Sequence, residues 1–477
     1  MKSLAKNSIF NAVYQVLNLI FPLISSMYVA RVLMPEGVGR VAYAQNIASY
    51  FVTAAALGIP TVGLRAIAVT RDDRQELNKA FSSLFVLNSI STSIVLTGYI
   101  VLIFSLPAFR NDYQLFLATG MMVLFNYINI EWLFKGNEEY VYIVIRSIAV
   151  KIISIGALFL FVQSKDDYIA YAVITTLAFC GNYFFNIVNA RKYVTFTLRN
   201  LDIRRYIKPV MLLSGSLFLN AIYSKLDTTM LGVLCGEESV GYYSYAHKIL
   251  QIGISFCTAV TTAFLPRLSY YYDKNKEAFH ELVGKGVQIV SFLSIPAAVG
   301  LCILAPDAVR ILFGYEFLPA AITLRIFSVL IVVFAFGNLL CYQMMLCSGN
   351  EKKYVLLLLA AALLNIILNS VLIPKWKENG AAIASVCTEL FINIVSGIYH
   401  HKKLNLRYKK KTIGDAIVSA SVMGTCILLI RPMLAETILS FMCCIAVGVF
   451  VYFVVNILLK NQFTSDVLMV IKRKVFG

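Results

Sequence analysis

Fourteen long apolar runs constrain this chain more than any other feature. They lie at approximately 7–31, 39–64, 80–105, 114–134, 140–163, 168–190, 209–234, 239–265, 284–305, 322–347, 354–373, 380–400, 413–432 and 437–459. Backbone N–H and C=O groups cannot stay unpaired in hydrocarbon, so apolar runs near 20 residues are predicted to be spanning helices. Hydrophobic residues make up 59% of the 477 positions and charged residues 14%, against about 25% charged in a soluble chain. The expected fold is an all-α polytopic membrane protein with about 14 transmembrane helices. The stretch from Ile9 to Leu33 reads as a first span. It is too long for the apolar core of a cleavable signal and has no small-x-small cleavage site.

The formal net charge of +17 would suggest nucleic acid in a soluble protein. Topology explains it better. The termini and even-numbered connections hold 29 of the 42 Lys and Arg, the opposite side holds nine, and four lie within spans. This asymmetry predicts both termini in the cytoplasm and accounts for most of the basic charge with no nucleic-acid partner. The longest connections, near 191–208 and 266–283, are polar and basic with short helical potential. The tail 460–477 carries Phe463, Val467, Val470 and Ile471 opposite Lys472–Lys474. It is either an amphipathic interfacial helix or a frayed end.

An internal repeat is visible. Val32-Leu33 leads through Glu36 and Val38-Gly39 to Tyr43-Ala44 and Ile47. Val233-Leu234 leads through Glu238 and Val240-Gly241 to Tyr245-Ala246 and Ile249. The two copies sit six spans apart, an even offset that preserves orientation. Two pseudo-symmetric six-helix lobes are therefore expected, related by an axis along the membrane normal. The boundaries are 1–208 for the N-terminal lobe (spans 1–6), 209–411 for the C-terminal lobe (spans 7–12), and 412–477 for two extra C-terminal helices and a cytoplasmic tail.

Several chemistries are excluded on motif grounds. The chain has no G-x-x-x-x-G-K-[ST] loop and no connection long enough for a nucleotide-binding domain. The ten cysteines have no CxxC pairing, and the four histidines have no zinc-site spacing. Lys165-Asp166-Asp167, the acidic cluster of the outer loops, reads as a solvated turn. Neither a catalytic site nor a metal or cofactor is expected; the chain reads as a non-enzyme.

Charges inside the spans are the candidate functional residues, because a bilayer tolerates them only when they face a bundle interior or an aqueous cavity. Lys151 lies near the middle of span five, Lys225 and Asp227 in span seven, Lys248 in span eight and Glu389 in span twelve. Arg31, Arg146 and Arg325 lie nearer span ends, where they either face inward or snorkel to headgroups. Cations sharing one cavity would take an anion, with phosphate or pyrophosphate the natural guest. Asp227 and Glu389 are candidates for ion coupling, and an Asp227–Lys248 ion pair is the structural alternative. Tyr14, Tyr28, Tyr43, Tyr50, Tyr242, Tyr243 and Tyr245 are candidates for stacking on sugars, against a bland role at the interfaces.

Four segments carry a family resemblance: Arg31–Gly39 followed by Tyr43-Ala44-Gln45; Glu131-Trp132-Leu133-Phe134-Lys135-Gly136; Lys225-Leu226-Asp227 with Val240–Ala246; and Gly380-Ala381-Ala382-Ile383-Ala384. In order and spacing the chain resembles the Wzx-type polysaccharide flippases of the multidrug/oligosaccharidyl-lipid/polysaccharide exporter superfamily. One departure is Met34-Pro35, where a Gly-Pro pair is more usual. The resemblance implies two six-helix lobes with two extra spans, and a cationic lumen. It also implies alternating-access transfer of undecaprenyl-pyrophosphate-linked oligosaccharide across the bacterial cytoplasmic membrane, for capsule or O-antigen assembly. Implied partners are that lipid-linked glycan, membrane lipids, a polysaccharide polymerase and glycosyltransferases. A drug/cation antiporter of the same superfamily would favour acidic and apolar cavity residues. A non-transporting membrane assembly factor is the third alternative.

Overall fold

The computed structural model describes residues 4–199, 201–404, 410–461 and 463–465. Most of the predicted tail helix, from 466 onward, lies outside these residues. Among those described, the chain is helical with no strand, as the hydrogen-bonding demand of hydrocarbon requires. Within the described residues, eleven helical stretches are long and apolar enough to cross a membrane. This differs from the fourteen apolar runs because kinked runs join: Ile20–Thr70 and Glu351–His400 are 51 and 50 residues long. A further apolar helix, Tyr113–Ile128, falls short of spanning length.

The chain divides into two compact units, Met1–Gly241 and Tyr242–Gly477. The first unit contains α1 (Leu4–Ala56), α2 (Ile59–Thr70), α3 (Arg74–Ser105), α4 (Pro107–Arg110), α5 (Tyr113–Leu124), α6 (Glu131–Gly136), α7 (Tyr140–Phe161), α8 (Tyr168–Ala190) and α9 (Ile203–Cys235). α10 (Glu237–Thr262) begins at its end. Helix α1 is broken at Met34, whose φ of 59° and ψ of 176° are non-helical. Pro35 contributes, since a residue before proline is disfavoured in the helical region. Helix α9 ends on Gly236 with φ 84° and ψ −176°. Met34 and Gly236 hold corresponding places in the two repeat copies, so both copies make the same backbone turn.

The two turns dock on each other. A methyl group built on Gly39 would overlap the Glu237 carbonyl and lie 2.9 Å from the Gly241 nitrogen. One built on Gly241 would overlap the Pro35 carbonyl, 2.9 Å from its carbon. Residues 35 and 237 are themselves equivalent, so the contact is reciprocal, and glycine is needed where backbone meets backbone. Elsewhere a core of Ile59, Ile67, Phe81, Leu84, Trp132 and Phe134 joins α2, α3 and α6. Gly63 lies under the Trp132 ring, which holds α6 against α2.

The second unit contains the rest of α10, then α11 (Leu265–Lys274), α12 (Lys276–Phe313), α13 (Ala320–Gly337), α14 (Met344–Cys347), α15 (Glu351–Leu404), α16 (Lys410–Ile430) and α17 (Ile438–Leu458). Helix α15 breaks at Lys377, three residues after Pro374. The last two helices pack on α12 through Phe292, Leu304, Ala420, Met423, Ile427 and Tyr452. The Tyr452 hydroxyl donates to the Phe292 carbonyl at 3.0 Å, satisfying a buried phenol that would otherwise be costly in this setting.

Candidate functional site: charges within the spans

In the first unit one face of α1 presents Asn46, Ser49, Tyr50 and Thr53, spaced i, i+3, i+4 and i+7 along the helix. Most of this face meets α9. The Lys225 ammonium donates to the Ser49 hydroxyl. Asn46 Nδ2 donates to the Lys225 carbonyl at 3.2 Å and to Thr229 Oγ1 at 2.7 Å. The Tyr50 hydroxyl meets Thr229 Oγ1 at 3.0 Å. Earlier on α1, Asn18 Oδ1 accepts the Lys151 ammonium of α7 at 2.6 Å, with the Phe21 ring 5.3 Å from the charge. Both lysines are half-buried. Among the described residues each hydrogen-bonds a neutral acceptor and neither pairs with a carboxylate. Their charge is held in place and left uncancelled.

Arg146, also on α7, has a different environment. It is 4% exposed, so it does not snorkel. Its Nη2 donates to Glu131 at 2.9 Å, and the second oxygen of Glu131 accepts Lys135 Nζ at 2.8 Å. The Phe134 and Tyr142 rings flank the guanidinium at 5.9 and 5.3 Å. Arg31 is exposed near the α1 break and donates to the Met27 carbonyl at 2.6 Å. Asp227 is half-buried and, like Arg31, has further partners.

Within the second unit, the Lys248 ammonium lies 3.9 Å from the centre of the Tyr245 ring, a cation–π contact. Arg325 is exposed, and Glu389 is half-buried and engaged. A cluster of ion pairs in this unit lies elsewhere. Asp307, on α12, accepts Arg310 at 3.1 Å and Arg431 at 2.5 Å, and Arg310 also pairs with Glu436. This cluster fastens the α16–α17 connection to α12. In the first unit the acidic turn at 165–167 closes on itself: Asp167 accepts the Gln163 and Ser164 N–H groups and the Ser164 hydroxyl. Those hydrogen bonds hold its carboxyl below the usual carboxylate range.

Sequence reading singled out the span cations but missed their partners Asn18, Ser49, Asn46, Thr229 and Glu131. The available signal was a polar residue interrupting an apolar run, which occurs too often in this chain to select these five.

Comparison with known proteins agrees with this architecture. The polysaccharide biosynthesis protein model matches residues 4–272, and the MatE model matches 213–371. A candidate O-antigen transporter of Escherichia coli strain K12 is 27% identical over 82% of this chain and 95% of its own length. The capsular polysaccharide biosynthesis protein CapF of Staphylococcus aureus is 24% identical over 84% of this chain and 100% of its own. The lipid II flippase MurJ in an inward closed conformation superposes with a TM-score of 0.76 at 15% identity, covering 96% of this chain and 100% of that one. An inward-facing multidrug resistance MATE family transporter of the MOP superfamily gives 0.64 at 15% identity, over 81% and 94%. With a family model covering more than half of its length, this chain belongs to the polysaccharide biosynthesis protein family.

Proposed function

We propose that this protein is a flippase that moves undecaprenyl-pyrophosphate-linked oligosaccharide repeat units from the inner to the outer leaflet of a bacterial cytoplasmic membrane. It makes and breaks no covalent bond. The observation that carries this reading is the pair Lys151 and Lys225, two ammonium groups within apolar helices that hydrogen-bond neutral acceptors. An uncancelled cation in a low-dielectric site attracts an anionic headgroup far more strongly than it would in water. The full-length likeness to a candidate O-antigen transporter and a capsular polysaccharide protein supports a glycan cargo. The asymmetric distribution of Lys and Arg supports cytoplasmic termini.

On this reading the lobes 1–208 and 209–411 alternate in access, with 412–477 as an added pair of helices and tail. Lys151, Lys225, Lys248, Arg31, Arg146 and Arg325 bind cargo, and Asp227 and Glu389 serve ion coupling. A polymerase and glycosyltransferases act on either side of the transfer. The test is reconstitution into vesicles with a labelled lipid-linked oligosaccharide. Leaflet transfer is expected with the wild type and lost in Lys151→Ala and Lys225→Ala at unchanged folded yield. Ethidium efflux in place of glycolipid transfer would reassign the protein to drug export. Normal transfer by both variants would remove these lysines from the site.

A further inference from the structure

The cluster around Glu131 is incomplete as a structural ion pair. Arg146 has five N–H donors. Its Nη2 reaches Glu131, while Nε and Nη1 are buried with no hydrogen-bond partner. A buried guanidinium that leaves donors bare forfeits much of what burial of a charge requires, and native structures rarely tolerate it without a reason. The same carboxylate is shared with Lys135, so two cations face one anion. The Arg146 side chain is 3% exposed, that of Glu131 16% and that of Lys135 37%. The cluster is therefore open along its Lys135 edge and closed behind Arg146.

A second feature gives the cluster a direction. The Tyr14 hydroxyl hydrogen-bonds Asn18 and lies within the electrostatic reach of Glu131, and Asn18 holds Lys151. Tyr14 and Asn18 are i, i+4 neighbours on α1 and share a face. Arg146 and Lys151 are five residues apart on α7, about 7.5 Å along its axis. Polar side chains thus run from a partly neutralised pair of cations to a lysine with no counter-charge.

We propose that Glu131 is the resident counter-ion of a first anion-docking step, displaced from Arg146 and Lys135 by a phosphoryl group of the cargo before that group passes to Lys151. The proposal rests on the flippase reading above and deepens it. Phosphoryl oxygens entering at the Lys135 edge can take the places that the Glu131 oxygens hold at Lys135 Nζ and Arg146 Nη2. Glu131 occupies both cations, one with each carboxylate oxygen, so it competes with the incoming anion. That competition keeps docking weak enough for release. A site without Glu131 would hold its anion too long.

The test uses the full chain, purified in detergent for calorimetric titration with inorganic pyrophosphate and reconstituted for transfer of the labelled lipid-linked oligosaccharide. Glu131→Gln should bind pyrophosphate about tenfold tighter, because a like charge is removed beside the anion, and should transfer the glycolipid more slowly. Lys135→Gln, at the exposed edge, should bind pyrophosphate several-fold more weakly with the fold intact. It provides the readout should Glu131→Gln fail to fold. Unchanged pyrophosphate affinity in Lys135→Gln, or unchanged or weaker affinity in folded Glu131→Gln, would overturn the proposal and leave Glu131 a structural partner of Arg146. A wild type that transfers no glycolipid would instead sink the flippase reading, whatever the variants bind.

Discussion

The two copies of the internal repeat make one turn from different residues. In the first copy Met34 takes φ 59° and ψ 176°, and in the second Gly236 takes φ 84° and ψ −176°. This region of backbone space belongs to glycine, and a residue with a side chain is strained there by about 1–3 kcal/mol. The first copy tolerates that strain because Pro35 already disfavours a helical Met34 and because the turn carries Gly39 onto Glu237. What the pair teaches is that docking geometry, rather than local preference, sets the turn.

The largest expected effect comes from the reciprocal contact. Gly39→Val or Gly241→Val drives a branched side chain into the partner's backbone, which cannot repack. Each should lower stability by about 3 kcal/mol or more, seen as a collapse of the melting temperature in detergent. A normal melting temperature for either variant would mean that the copies do not meet backbone to backbone. The exchange of turn residues should be smaller and opposite in sign at the two sites. Met34→Gly should stabilise by about 1 kcal/mol, the relieved strain exceeding the added backbone entropy, and Gly236→Met should destabilise by a similar amount. The same sign at both positions would end the equivalence of the turns. The smallest effect belongs to the ion pair beside the contact, where Arg40 Nε meets Glu237 at 2.6 Å with each side chain about a third exposed. Glu237→Gln should shift stability by less than about 1 kcal/mol and make it less sensitive to salt.

Helical class, membrane residence and the repeat were legible in the residues alone. Among the described residues the fourteen apolar runs correspond to eleven long helical stretches, because two stretches each hold a pair of runs broken by a kink at Met34 or Lys377, and Tyr113–Ile128 falls short of spanning length. The spans hold few charges, so Lys151, Lys225, Lys248 and Arg146 were recognisable as exceptional. Their partners were not. Asn18 and Ser49 resemble many other small polar residues in these spans, and Glu131 stood out only as part of a motif.

The sequence by itself determined that the chain must be helical and span a bilayer many times, because continuous apolar runs near 20 residues satisfy their backbone hydrogen bonds in hydrocarbon only as helices. It also determined that the chain's buried charge leans positive. Only the tertiary structure decided which of those charges are cancelled. Arg146 and Lys151 lie five residues apart on one helix, yet one meets a carboxylate and the other an amide oxygen. That outcome depends on how α1, α6 and α7 are rotated and packed. The rotation is set by contacts such as Gly63 beneath Trp132, which no reading of apolar periodicity supplies.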